Sequence, residues 1–201
     1  MTDTEIIDLS AQFQQIAKDS ISRKGINELL QWLDTTDFYV APASTRYHGS
    51  EAGGLLKHSL SVHQWAYDIM DGISYSSERL FEALDFNLES LALVTLFHDV
   101  CKVGAYKLSM RNVKNEQTGE WERVPYYTYT NGDKFGAHGA KSVFILSQFI
   151  KLTEAEAVAI LHHMGAWDKS TYSDPGKAYE NNTLAWILHV ADEAATYISK
   201  T

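Results

Sequence analysis

The chain has 201 residues, and its 45% hydrophobic and 21% charged residues are typical of one globular domain rather than of a disordered or collagen-like chain. It carries 17 Lys and Arg against 26 Asp and Glu, and the net charge of −9 argues against a basic surface that binds nucleic acid non-specifically. Because it has one cysteine, no signal peptide and no apolar stretch of about 18 residues, we expect a cytoplasmic protein that does not span a membrane.

Hydrophobic periodicity divides the chain into a helical preface and a mostly helical main domain. We expect residues 1–45 to form the preface, packed on the core, with one amphipathic helix near its start and a second over Ile26–Leu33. Residues 46–201 form the predicted main domain. Its predicted helices cover Glu51–Met70, Asn87–His98, Gly136–Ile150, Thr153–Met164 and Asn182–Lys200. The segment Trp167–Glu180 contains Pro-Gly and is predicted to be a loop.

An insertion at about residues 104–135 interrupts these helices. Between Tyr106 and Tyr129, two β-prone stretches flank a Thr-Gly-Glu turn, and Val124, Tyr126 and Thr128 alternate with other residues. This pattern predicts a β-hairpin. The predicted fold class is therefore an all-α helical bundle with a small β-hairpin insertion.

Eight histidines are many for a chain of this size, and most of them lie in short, strongly apolar segments. A lone histidine on an apolar face is usually a core residue bonded to backbone, so the ordered set is more informative than any single member. A buried imidazole or carboxylate needs a partner, and a metal ion supplies one; this donor mixture suits Mn, Fe, Co, Ni or Zn. The segments are GGLLKHS with His58, LFHDVCK with His98 and Asp99, GAHG with His138, ILHHMG with His162 and His163, and LHVADEA with Asp192.

The order H, HD, H, HH, D resembles that of the HD-domain metal-dependent phosphohydrolases, over a region from about His48 to Tyr197. Five segments are similar in local sequence to the HD domain of YhaM-type 3′-to-5′ exoribonucleases: GGLLKHSLSV, LFHDVCKVG, YTNGDKFGAHG, ILHHMG and LHVADEA. The HD-GYP cyclic-dinucleotide phosphodiesterases share the same plan. The resemblance implies an HD-domain bundle of packed helices with one or two divalent metal ions between them.

The resemblance also implies roles for individual residues. His58, His98, Asp99 and Asp192 would hold a first metal. Asp99 would bridge to a second metal, which His138 and His162 would also bind, with His163 as a further candidate ligand. A carboxylate suits the bridge because it has two oxygens, and two metals about 3.5–4 Å apart can hold both the attacking and the leaving oxygen of a displacement. The catalytic candidates are Asp99 and Lys102.

Further residues are candidates for contact with substrate. Lys102 follows Asp99 by three positions, and in HD hydrolases the corresponding lysine lies near substrate phosphate; the alternative is a solvated surface lysine. His48 is a candidate for a substrate contact or for support of a ligand. Arg111 and Tyr129 of the insertion could pair with phosphate and stack on a base, although a hairpin that merely packs would carry similar residues. Trp167 and Tyr172 are expected to wall the pocket.

Four other polar residues near the motifs have open interpretations. His63 is expected to be structural or exposed. His189, one helical turn before Asp192, either orients that ligand or packs, and Glu193 is a candidate for hydrogen bonding around it. Cys101 replaces the glycine that many relatives have before the lysine, and a buried, inert thiol is expected there.

Together these features lead us to expect a phosphohydrolase or phosphodiesterase that acts on a nucleotide or a short oligonucleotide. An HD-type diiron oxygenase and a non-catalytic nucleotide-binding module are the alternatives. Only about fifty helical residues precede the motifs, too few for the OB-type domain of the exoribonucleases, so long nucleic acid is not an expected partner. The sequence leaves the oligomeric state open, with a homodimer as one option.

Overall fold

The computed structural model describes residues 1–130, 137–167 and 175–201. Within these ranges helices dominate, and one two-stranded antiparallel sheet accompanies them, which confirms the predicted fold class. The helices are α1 (Asp3–Ser20), α2 (Ile26–Asp34), α3 (Gly54–Ser76), α4 (Glu78–Glu82), α5 (Leu88–Phe97), α6 (His138–Leu146), α7 (Glu154–His162), α8 (Pro175–Asn181) and α9 (Thr183–Ala194). The strands are β1 (Tyr106–Lys114) and β2 (Trp121–Tyr129). Among these helices, none combines the length and apolarity needed to cross a bilayer.

Side-chain caps fix where several helices begin. Asn87 accepts a hydrogen bond from the Ser90 amide and starts α5, as the sequence predicts. Thr153 and Glu156 form the predicted capping box at the start of α7, in which each side chain accepts from the other residue's amide. These caps satisfy amides that have no partner within the helix, so the local sequence sets the register with which α5 and α7 present their last residues.

Helix α5 is the central element of the bundle. Every residue from Ser90 to Phe97 is buried, and α1, α3, α7 and α9 all pack against this helix. From the N-terminal preface, Phe13 of α1 lies edge-on to Phe97, with ring centroids 5.4 Å apart. A helix that is apolar on all sides belongs at the centre of a core, and its C-terminal end therefore opens into the interior of the domain.

The insertion is a hairpin whose base contacts the rest of the domain. The strands pair from Tyr106 opposite Tyr129 to Lys114 opposite Trp121. Tyr106 is buried and donates a hydrogen bond to the Ala43 carbonyl at 3.2 Å, whereas most of the remaining hairpin is exposed. The hairpin prediction is thus confirmed for residues 106–129; residues 131–136 lie outside the described ranges.

The structure corrects one predicted element. Residues 175–180, predicted as part of a loop, belong to the short helix α8. The Pro-Gly pair suggested a break, but proline fits the first position of a helix, where its missing N–H and fixed φ cost nothing. The predicted wall residue Tyr172 lies outside the described residues.

Several helix boundaries differ from prediction; for example, α3 extends to Ser76, six residues beyond the predicted Met70. Helix α3 begins at Gly54, three residues after the predicted start, and a Cβ at Gly54 would collide with the Gly49 carbonyl, which confirms the close approach expected of the glycine pair. Helix α6 ends at Leu146, four residues before the predicted end. The last predicted helix stops as a regular helix at Ala194, and a π-helical turn over Ala195–Ser199 follows it.

Candidate metal centre

The HD pair lies where the chain leaves α5. His98 is the C-cap and keeps helical dihedral angles, while Asp99 departs from them with φ −105° and ψ 17°, and a 3₁₀ turn over Val100–Lys102 follows. Adjacent side chains would point about 100° apart on a regular helix. Since the helix ends here, the His98 and Asp99 side chains turn into the same buried space, with His98 Nε2 3.5 Å from Asp99 Oδ2.

Residues from three other helices reach this space. Helix α3 supplies His58, whose Nε2 lies 3.0 Å from Asp192 Oδ1 of α9 and 3.8 Å from Asp99 Oδ2. His163, the C-cap of α7, places its Nε2 3.6 Å from Asp99 Oδ1. The two oxygens of Asp99 therefore face different histidines. All five side chains are buried, so residues up to 134 positions apart in sequence meet in one cluster.

The histidines of the cluster expose a specific nitrogen to it. The Nδ1 atoms of His58, His98 and His163 lie 2.6 to 3.0 Å from backbone oxygens. A backbone oxygen only accepts, so each Nδ1 donates its proton there, and Nε2 is the ring nitrogen that faces the centre. In the described part of the chain, the buried Nε2 atoms of His98 and His163 have no hydrogen-bond partner.

These donors fit a divalent metal ion. Three overlapping groups bring their ligand atoms within 4.8 Å of one another: His58, His98 and Asp99; His98, His163 and Asp192; and Asp99, Cys101 and His138. Buried imidazole lone pairs beside carboxylates are costly unless a cation joins them. Neutral imidazole with carboxylate is the ligand set that mid-row divalent metals favour.

The acidic groups of the cluster are charged. Burial raises the pKa of Asp99, but the Lys102 ammonium and His98 outweigh it, so the pKa lies well below its ordinary value. Burial also raises the pKa of Asp192, yet its hydrogen bond and charge interaction with His58 lower it overall. Lys102 lies 2.6 Å from Asp99, which raises the lysine pKa although burial opposes this. The described side chains of the centre thus include two carboxylates and one ammonium.

A cavity of about 530 Å³ opens over the cluster, a size suited to a small-molecule ligand. His58, Asp99, Lys102, His138 and Asp192 line it. Exposed aromatic side chains stand around it, and these are Tyr47, Tyr129, Trp167 and Tyr197. The cavity therefore has charged side chains, including Asp99, Lys102 and Asp192, at its base and an aromatic rim.

A family model described as HD domain matches residues 55–197, which is 143 of the 201 residues. The chain belongs to the HD domain family. No curated protein and no solved structure gave a significant match. HD domains are generally hydrolases that bind divalent metals, and the His and Asp cluster described above can hold such an ion.

The two adjacent histidines of the HD domain take different places. His163 faces Asp99, whereas His162 lines a separate cavity with Lys177 and Asn181, on the α8 side of α7. His162 belongs to none of the three groups found among the described residues. The structure thus places His163, the further candidate ligand of the sequence analysis, in the cluster. It places His162, the ligand that the resemblance implies, outside the cluster.

Of the residues predicted to contact substrate, four line the cavity and Arg111 does not. Lys102, His48, Tyr129 and Trp167 all line the cavity. The His48 ring lies 5.0 Å from the His58 ring, and burial together with the nearby His58 lowers the His48 pKa to about 4. Arg111 does not line the cavity; it lies farther along β1, over the ring of Tyr126 at 5.2 Å.

The residues with open interpretations now have defined contacts. His63 lies 2.9 Å from the Thr95 hydroxyl, a structural position. His189 donates to the His163 carbonyl at 2.7 Å and stacks on Tyr179, so it supports His163 rather than Asp192. Glu193 lines the cavity. Cys101 is buried, and burial with the nearby Asp99 raises its pKa to about 12, so the thiol is protonated at neutral pH.

Sequence reasoning missed three residues near the cluster. Tyr47 and Tyr197 belong to the aromatic rim, and Tyr197 could have been found by continuing the helical spacing beyond Asp192. Thr201 accepts a hydrogen bond from His58, and no motif marks it. Its contact depends on a tail conformation that only the folded chain reveals.

Proposed function

We propose that this HD domain protein is a metal-dependent phosphohydrolase that cleaves a phosphoester of a nucleotide or a short oligonucleotide. The observation that carries the proposal is the buried set of His and Asp donors, with orphaned Nε2 atoms, beneath a cavity that Lys102 also lines. A binding module would not need a buried carboxylate with histidines on both of its oxygens.

The donors divide into two sets that share Asp99. His58, His98 and Asp192 lie on the Oδ2 side of Asp99 and would hold one ion with it. His163 lies on the Oδ1 side of Asp99 and also near His98 and Asp192, while His138 lies near Asp99 and Cys101, so either histidine would be a ligand of a second ion. When bound, one or two divalent ions supply Lewis-acid polarisation of the phosphate and a nucleophile at neutral pH.

Lys102 adds a positive charge at the wall of the cavity. Its ammonium is charged, because Asp99 raises its pKa. A phosphate in the cavity would offer oxygens to the same ammonium, and the hydrogen bond would strengthen as negative charge develops in the transition state. In a chain of net charge −9, this local charge and the bound metals would be what attracts an anionic substrate.

The aromatic rim supports a nucleotide as the substrate. Tyr129 and Trp167 expose 54% and 67% of their surface beside the cavity, so a base could stack on either ring. The HD domains of YhaM-type exoribonucleases and the HD-GYP phosphodiesterases, which the motifs resemble, act on such substrates. A cavity of about 530 Å³ favours a nucleotide or a short oligonucleotide over a long nucleic acid.

The test compares Asp99→Ala with Asp71→Ala, which removes an exposed carboxylate of α3. Each protein is loaded with Mn, Fe, Co, Ni or Zn, analysed for bound metal, and assayed on nucleotides, cyclic dinucleotides and short RNAs. We expect Asp99→Ala to lose its metal and at least about 10³-fold of the activity, and Asp71→Ala to keep both.

Full hydrolysis by Asp99→Ala with no metal lost would contradict the proposal. So would saturable nucleotide binding by the unmodified protein without turnover in any metal. Oxygen consumption by the iron-loaded protein, with no hydrolysis under anaerobic conditions in other metals, would favour an oxygenase instead.

A further inference from the structure

The three central histidines differ in where they find the acceptor for Nδ1. His98 uses the carbonyl of Thr95, and His163 uses that of Ile160, each three residues earlier in the same helix. Both histidines are C-caps. The last carbonyls of a helix have no partner within it, so a helix end supplies its own acceptor to a histidine there.

His58 has no such local acceptor. It lies in the second turn of α3, where the preceding carbonyls are engaged in the helix. Its Nδ1 instead lies 3.0 Å from the backbone oxygen of Thr201, 143 residues away in sequence. The contact is buried, since His58 exposes 1% and Thr201 6% of its surface.

The chain reaches this position by an unusual backbone path. After α9, residues Ala195–Ser199 form a π-helical turn, and Lys200 then adopts φ 58° and ψ 37°. Among the described residues, Lys200 is the one non-glycine with positive φ. Residues other than glycine avoid this region of φ and ψ, so contacts with neighbouring residues must stabilise Lys200 in this conformation.

Contacts on both sides of Lys200 hold the tail in place. The Thr201 amide donates to the Ala195 carbonyl at 3.1 Å, and the Thr201 hydroxyl donates to the same oxygen at 3.3 Å. On α3, Trp65 donates from Nε1 to the Ser199 hydroxyl at 2.8 Å. The tail over residues 195–201 is therefore tied to the helix that carries His58.

We propose that the tail over residues 195–201 is a positioning element of the metal centre, and that the Thr201 backbone oxygen holds the Nδ1–H of His58 and so fixes the orientation of its ring. The inference rests on the proposed function, because it assigns His58 Nε2 to the metal. An acceptor that holds Nδ1–H keeps Nε2 facing Asp99 and Asp192, as the nitrogen that would bind the ion. Losing such a partner typically weakens metal binding by about 10- to 100-fold.

The test compares two substitutions that remove the same charged side chain. Lys200→Pro cannot adopt positive φ, because the ring fixes φ near about −65°, and it should release Thr201. Lys200→Gly adopts φ 58° without strain and should keep the tail in place. Titration with Mn²⁺, followed by the electron paramagnetic resonance of the free ion, should give a dissociation constant about 10- to 100-fold higher for Lys200→Pro than for Lys200→Gly.

A second readout follows His58 itself in the metal-free protein. ¹⁵N NMR of its ring should show a protonated, hydrogen-bonded Nδ1 in the unmodified protein and in Lys200→Gly, and loss of that hydrogen bond in Lys200→Pro. The unfolding midpoint of the metal-free Lys200→Pro protein should change by no more than about 4 °C, because the substitution lies outside the helices of the core.

The two hypotheses fail in different ways. Equal Mn²⁺ affinity for Lys200→Pro and Lys200→Gly, with the Nδ1–H hydrogen bond kept in both, would overturn the positioning role of the tail. Absence of metal binding by the unmodified protein would overturn the proposed function, whereas the Nδ1–H hydrogen bond in the metal-free protein would still decide whether the tail orients His58.

Discussion

The buried cluster and the β-hairpin both carry residues that suit phosphate chemistry, but the fold holds them differently. Each cluster histidine is fixed by a backbone oxygen, and its surroundings exclude solvent. On the hairpin, Arg111 and Trp121 are exposed, whereas at the base Tyr106 bonds to the Ala43 carbonyl and Tyr129 lines the cavity. The comparison suggests that the helices set the chemistry and that the hairpin contributes at most one wall of the substrate cavity.

The largest effect should come from the adjacent histidines on the end of α7. We expect His163→Ala to weaken metal binding by more than about 100-fold and to abolish hydrolysis, because its Nε2 faces Asp99 from within the cluster. We expect His162→Ala to retain most of both, because His162 lines the other cavity. Metal analysis and phosphoesterase assays on the two variants measure the difference.

This pair is its own matched control, since both substitutions remove a buried imidazole from the same turn. Equal loss of metal in the two variants would mean that both histidines are ligands, as the family resemblance implies. The assignment of His163 rather than His162 as the ligand from this pair would then be wrong.

Much of the fold could be predicted because its signals are local. The capping residues Asn87 and Thr153, the apolar run of α5 and the alternation in β2 each determine a nearby backbone conformation. Helix α8 could not be predicted in this way. Its Pro-Gly start also suits a turn, and α8 packs on α7 and α9, a tertiary context that the sequence does not display.

The candidate site was predictable as a set of residues but not as a geometry. The order of the motifs along the chain is enough to indicate His58, the HD pair, His138, the HH pair and Asp192. Spacing alone could not decide which histidine of the HH pair faces inward, because the choice depends on how α7 is rotated against α5. The contact between His58 and Thr201 was equally hidden, since it depends on a positive φ at Lys200.

A second prediction sets the lysine of the cluster against a lysine of the hairpin. We expect Lys102→Met to lower kcat by about 100-fold while metal binding persists, because this ammonium lies at the cavity and would stabilise charge on the phosphate. Lys107→Met removes an equal charge from the exposed start of β1 and should leave kcat unchanged. Steady-state kinetics with metal analysis give both quantities.

The outcome shows whether Lys102 acts through contact with substrate or through the net charge of the protein. If the two lysine variants lost activity equally, the effect would come from the net charge of the protein rather than from contact with substrate. If Lys102→Met lost its metal as well, the lysine would act by organising Asp99, which it contacts at 2.6 Å.

The smallest predicted effect distinguishes the base of the hairpin, at the cavity, from the exposed part of its strands. Tyr129 stands at the cavity, with its ring 5.0 Å from that of the buried Tyr106, whereas Arg111 lies farther along β1. We expect Tyr129→Ala to raise KM for a mononucleotide by about 5- to 100-fold through lost stacking, with little change in kcat. Arg111→Ala should leave both constants unchanged for that substrate. A rise in KM for Arg111→Ala that appears only with longer oligonucleotides would mean that the exposed length of the hairpin binds the rest of the chain, and the substrate would then extend beyond the cavity.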